Sequence, residues 1–245
     1  MHAYLGEITE LTAVLDDVEP LARRTGDLGV LQWCVFESSF APLAAGRWAE
    51  ADELMAEAVR VNIRSGYAGY HAWFEAHRGW LARLAGRLDE ALEIGRRTAA
   101  MDSHAWIAAA VLALHGTTLL AAGRAGEAVP VLERGLVIAE THRTEAYRLR
   151  CLAPLAEATG SVDRLREADA ALRRIDGPAW LYGGDAYFAV ARAWRAHGDE
   201  ARAAGIVEPL LAAGRRTGWT APLAGQSTSA SSAAARSAPS VSTGR

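Results

Sequence analysis

The chain contains no lysine: all 26 of its basic residues are arginine, and asparagine occurs once, at Asn62. The lysine gap removes whole mechanisms from this chain. A P-loop needs a lysine on the phosphates, and Schiff-base or pyridoxal chemistry needs a lysine amine. The skew is that of a GC-rich genome, because lysine and asparagine codons are AT-rich. Cysteine is nearly absent as well. Cys34 and Cys151 are too few for a disulfide framework or a zinc site, and read as two buried reduced thiols of a cytosolic protein. No run of eighteen apolar residues exists, so no transmembrane helix is predicted. The N-terminus, MHAYLGEITELTAVLDD, lacks the basic and continuous apolar regions of a secretory signal. The net charge of −3 gives no general push toward nucleic acid or anionic membranes. G-x-S-x-G, G-x-G-x-x-G and C-x-x-C are all missing.

What is present is a repeat. The phrase LAAGRWAEA (43–51) returns as RLAGRLDEA (83–91) and LAAGRAGEA (120–128). With its glycine as anchor, two further copies follow, giving Gly46, Gly86, Gly123, Gly160 and Gly198, at spacings of 40, 37, 37 and 38. Seven residues before each anchor stand Ser39, Gly79, Gly116, Ala153 and Ala191, all small. Five after stand Ala51, Ala91, Ala128, Leu165 and Ala203, and eight after stand Leu54, Ile94, Val131, Ala168 and Ile206. An apolar stretch of helical period lies before each anchor and an amphipathic one after it. Each copy is therefore a helix pair. Glycine takes the left-handed conformation that ends the first helix. The small residue marks close approach of the two backbones, met by the alanine of the second helix. Acids open the second helix (Glu50, Asp89, Glu90, Glu127, Asp199, Glu200) and arginines close it (Arg60, Arg64, Arg96, Arg97, Arg173, Arg174, Arg215, Arg216), which suits the helix dipole. An exposed basic groove is the functional alternative for those arginines.

These columns resemble the tetratricopeptide repeat: small residue, glycine seven later, alanine five after that, and a further small position held here by Ala58, Thr98 and Gly135 and lost in Leu172 and Leu210. The period exceeds the family's 34, so each pair carries about one extra turn. The resemblance covers residues 29–217 and implies an all-α, right-handed solenoid of about five helix pairs. Long-period repeats rich in alanine and arginine are also similar to the solenoid regions of large actinobacterial LuxR-type ATP-binding transcription regulators; neither their ATPase nor their helix-turn-helix pattern occurs here. The domain reading is a leading helix (1–28, helical over 4–25), a repeat domain (29–219) and a disordered Ser/Ala-rich tail (220–245). The tail's composition is also what out-of-frame GC-rich DNA encodes, as in a truncated relative of a larger regulator. The longest loop expected within the solenoid is DGPAWLYGGD (176–185), with Asp185 as N-cap of the helix that follows.

His71, Glu75 and His77 are close in sequence, but His77 points away from the other two on a helix, so no metal site is expected. The other carboxylates lie in first turns, where capping explains them. No cofactor is called for.

In the resembled family the first helix of each pair lines the concave face, at positions thirteen, ten, six and three before the anchor. That places Trp33, Phe36 and Phe40 on it in the first copy, and Trp73, Trp80 and Arg83 in the second. Tyr147 and Arg150 follow in the fourth, and Phe188, Arg192 and Arg195 in the fifth. A solvated wall does not hold this many aromatics uncovered. Two coverings are open: packing within a tight superhelix, or a ligand. The arginines suit a carboxylate. The function that follows is a non-catalytic scaffold holding a protein or peptide segment in a cytoplasmic regulatory assembly. A small-molecule effector domain is the alternative, and an enzyme on a helical-repeat scaffold the weaker one. Direct nucleic-acid binding and membrane association are not expected.

Overall fold

The computed structural model describes residues 7–175 and 184–217. All regular structure among them is helical. A leading helix α1 (Ile8–Thr25) is followed by α2 (Leu28–Ser38), the short α3 (Phe40–Ala44), α4 (Trp48–Ser65), a 3-10 turn (Ala68–Tyr70), α5 (His71–Leu84) and α6 (Leu88–Thr98). Then come α7 (Ala105–Ala121), α8 (Ala125–Thr141), α9 (Glu145–Thr159), α10 (Val162–Arg173), α11 (Gly184–Ala196) and α12 (Glu200–Thr217). The tail over 220–245 and most of the 176–185 loop fall outside the described residues.

The joints form as the sequence pattern requires. All five anchor glycines have positive φ, from 64° at Gly160 to 80° at Gly86 and Gly198, a region closed to most other residues. At four of them the next residue's N–H reaches back along the chain to close the helix: Arg47 to the Pro42 carbonyl, Arg87 to Ala82, Arg124 to Leu119 and Asp199 to Trp194, at 2.8–3.0 Å. The following helix is opened in two ways. In the first three copies the arginine after the glycine pairs with an acid three residues on: Arg47 with Glu50, Arg87 with Glu90, Arg124 with Glu127. These pairs are exposed and contribute little beyond local order. In the last two copies a short polar side chain caps the helix, Ser161 accepting from the Arg164 N–H and Asp199 from the Arg202 N–H.

The first helix of the first copy, read from the sequence as continuous, is broken at Ser39 into α2 and α3. Pro42 is the cause. It cannot donate to the carbonyl of residue 38, and its ring crowds that carbonyl. The Ser39 hydroxyl donates instead to the Phe36 carbonyl at 2.6 Å.

The helices stack as repeats do. Each first helix packs on its own second helix (α2 and α3 on α4, α5 on α6, α7 on α8, α9 on α10, α11 on α12), and each second helix on the next first helix. First helices also touch one another, α5 with α7, α7 with α9 and α9 with α11, and α1 closes the N-terminal end against α2 and α3. The close-approach column is buried throughout: Ser39, Gly79, Gly116, Ala153 and Ala191. A Cβ on Gly79 would lie 3.0 Å from the Ile94 side chain and 3.6 Å from the Ala91 carbonyl. At Gly116 the partner is Leu132, 2.5 Å from such a Cβ, rather than Ala128 as the alanine column suggests. The contact thus falls one helical turn further along α8 than the alanine column predicts.

Leucine at Gly116 should therefore wedge α7 from α8 and lower stability by about 3 kcal/mol or more. The control is Gly126 at the start of α8, where a Cβ meets nothing within 4 Å; Gly126→Ala should raise stability by about 0.5–1 kcal/mol. Urea unfolding of the two variants checks both signs. Equal midpoints would remove the close-approach reading.

Candidate functional site

The candidate registers are those the tetratricopeptide resemblance assigns to the concave face. Positions thirteen, ten, six and three before each joint share one face of each first helix, and stacking turns those faces toward one another. The structure brings most of the sequence-predicted residues into one continuous wall that runs from aromatic at α2 to ionic at α11.

The aromatic part is packed. Phe36, Phe40 and Trp73 are 0 % exposed and Trp80 5 %, while Trp33 is half-buried against them. Trp33 stands 5.0 Å from Phe74 and 6.1 Å from Trp73, and Phe36 lies edge-on to Phe40 at 5.5 Å. Trp73 reaches across to later repeats, to Trp106 at 5.5 Å and Tyr147 at 6.1 Å, and those two rings stack on each other. Burial pushes the Tyr147 phenol pKa upward. Protein covers this stripe: rings from successive first helices supply the partners.

The ionic part spans the wall. The Asp185 Oδ2 accepts from Arg83 Nη2 at 2.7 Å and from Trp80 Nε1 at 3.2 Å, joining α5 to α11 across more than a hundred residues of sequence. Asp185 is the second residue of α11, not its N-cap. Its side chain crosses the wall instead of turning back on its own helix. Burial alone would push the Asp185 carboxyl pKa up. The charges of Arg83 and Arg150, the Arg83 hydrogen bond and the Arg192 charge outweigh it and hold the group below the usual carboxylate range. Two turns along α11, Arg192 grips Glu157 of α9 in a bidentate pair at 2.6 and 2.7 Å. Arg150 is only 3 % exposed, Phe188 is half-buried against the core, and Arg195 is exposed and pairs with Glu200 at 3.1 Å.

The trio His71, Glu75 and His77 is dispersed. His71 faces Asn62, Glu75 pairs with Arg97, and His77 is enclosed. No group of metal-holding residues occurs among the described residues, and no helix among them is long and apolar enough to cross a membrane. Cys34 and Cys151 are free and buried, and burial pushes the Cys151 thiol up to about 12. An open apolar groove of about 350 Å³ runs between α1 and α2, lined by Val14, Leu15, Val30, Trp33 and Cys34 with Glu37 at its edge.

No protein-family model matches the sequence, and no curated protein matches it. Solved structures do. The Rap conjugation gene regulator of the plasmid pLS20, solved in complex with the Phr* peptide, superimposes with a TM-score of 0.72 at 13 % identity, over 88 % of this chain and 60 % of that one. This chain thus spans about three-fifths of that regulator's length. Two structures of a Podosopora anserina kinesin light chain with nearly identical TPR-like repeats, one of them a single-residue variant, match at 20 % identity with TM-scores of 0.47 and 0.48, over 75 % of this chain and 94 % of each of theirs. The fold is tetratricopeptide-like.

Sequence reasoning missed Tyr70, Phe74 and Trp106, which complete the aromatic stripe, and weighed His77 only as a metal ligand. For Trp106 a signal existed. It lies seventeen residues before Gly123, one turn beyond the four concave registers, in the stretch that lengthens the repeat. His77 sits 4.4 Å from Trp73 and 5.0 Å from Phe36. Its burial, opposed by its Nδ1 contact with the Trp73 carbonyl at 2.7 Å and reinforced by the Arg150 charge, holds its pKa down at about 3, from 6.5.

Between those two values the unfolded chain binds a proton at His77 and the folded chain does not. The stability this supplies is complete above pH 6.5 and is lost as pH falls toward 3. Near pH 4.5 the loss should reach about 2–3 kcal/mol. Urea unfolding of wild type and His77→Gln near pH 7 and pH 4.5 measures it: the gap between the two proteins should narrow by that amount in acid. A gap independent of pH would exclude the neutral, enclosed imidazole.

Proposed function

We propose that this chain is a non-catalytic helical-repeat scaffold whose concave face holds a peptide or protein segment in a cytoplasmic regulatory assembly, serving transcription or signalling. The observation that carries this reading is the ionic end of the wall, where Arg83 faces Asp185, Arg192 faces Glu157 and the exposed Arg195 faces Glu200. That is the chemistry of recognition rather than of turnover. Asp185 is held ionised and His77 is held neutral and enclosed, so neither is poised to exchange a proton near neutral pH. The peptide held by the similarly folded Rap regulator supports the same reading.

A second reading, a small-molecule effector domain, draws on one observation: the apolar groove between α1 and α2 has the volume of a drug-sized site.

Selection of displayed random peptides on the purified chain tests both. Acidic peptides should be enriched. Arg195→Ala and Phe188→Ala should each weaken them about tenfold, equal to about 1.4 kcal/mol, while Val14→Glu in the groove should leave them unchanged. If no peptide is enriched and native mass spectrometry shows a retained small molecule that Val14→Glu expels, the effector reading replaces the scaffold.

A further inference from the structure

The contact between α5 and α11 has the form of a binding site already filled. Trp80 and Arg83 are three residues apart on one face of α5, so their N–H groups converge as a fixed fork. Both donate to one oxygen of a carboxylate that arrives from a distant helix. The Arg83 and Asp185 side chains are only 13 % and 18 % exposed. Stability gives no strong reason for such a pair. Removing two charges from water costs about as much as their attraction returns, and apolar residues of the same volume would serve as well. Two turns further along α11, Arg192 and Glu157 repeat the arrangement with side chains 36 % and 22 % exposed, so the same wall seats a second carboxylate closer to solvent.

We infer that Trp80 and Arg83 form a carboxylate seat on the concave wall, and that Asp185 occupies it in cis as an autoinhibitory latch which an acidic peptide must displace. The seat itself stands on geometry alone; only the identity of the displacing ligand rests on the scaffold reading above. Entry of the ligand exchanges one carboxylate for another on the same two donors. Net charge on the seat is conserved in the exchange, and the free energy of entry is the difference between two similar contacts. An acidic group on the ligand releases α11 from α5, so binding and opening of the superhelix are one event.

Chemical complementation tests the seat. Asp185→Ala keeps the Cβ and removes only the carboxylate, which formate then replaces in shape and charge. Formate in the tens of millimolar should raise the melting temperature of Asp185→Ala by several degrees over chloride at equal ionic strength. It should do nothing for wild type or for the Asp185→Ala, Arg83→Leu double variant. If formate and chloride act alike on Asp185→Ala, the seat is wrong. Asp185→Asn, which keeps the volume, tests the latch even where the alanine variant folds poorly. Fluorescein-labelled hexaglutamate should bind Asp185→Asn at least tenfold more tightly than wild type, and adding Arg83→Leu should abolish the gain. Equal binding to wild type and Asp185→Asn overturns the latch and leaves the scaffold standing. Formate rescue without any enriched peptide removes the scaffold and leaves the seat.

Discussion

Close approach of two backbones, at a position with almost no side chain, is the constraint on which the rest of this molecule depends. Where α7 meets α8 there is no room for a Cβ at Gly116, and Leu132 fills the space in its place. The same economy recurs at Gly135, where a Cβ would lie 2.8 Å from the Cys151 sulfur and 3.1 Å from the Leu112 side chain. Gly135 thus lets a second helix nest between two first helices. Because the pairs sit this close, the first helices touch their successors. The stacking of first helices then brings a tryptophan of α5 against a tyrosine of α9, and an arginine of α5 against an aspartate of α11. The concave wall follows from the glycines of the interhelical seams.

The wall is divided by physical chemistry into two regimes. From α2 to α7 it is a packed aromatic stripe in which edge-to-face contacts supply both cohesion and shape. From α5 across to α11 it is ionic, where Arg83 and Arg192 each face a carboxylate of the same chain. The small residues of α7 on the same registers, Ala110 and Ala113, are buried.

Much of this was legible in the sequence because it is local. The five joints were readable from glycine spacing, since left-handed backbone favours glycine wherever it occurs. The concave registers came from the tetratricopeptide resemblance, and Arg83, Arg192, Asp185 and Glu157 all lie on them. What was not legible depends on the sum of many small rotations. Nothing near Arg83 marks Asp185, 102 residues away, as its partner; that meeting requires the accumulated twist of three repeats. The choice between packing and ligand for Phe36, Phe40 and Trp73 hung on the same twist. The break at Ser39 is local too, and its signal is Pro42, a residue without an N–H inside an apolar stretch of helical period.

A stack of repeats that touch only their neighbours behaves as a one-dimensional array. Such an array melts piecewise, from the ends inward, as a sum of nearest-neighbour terms. The bond from α5 to α11 changes that dimensionality. It ties the second repeat to the fifth, so the intervening helices form a closed ring of interactions instead of an open chain. Part of this solenoid cannot fray without opening the ring, and the ring cannot close until the repeats between have formed. Repeats two to five are thereby bound into one cooperative unit, while the leading helix and the first repeat remain outside it.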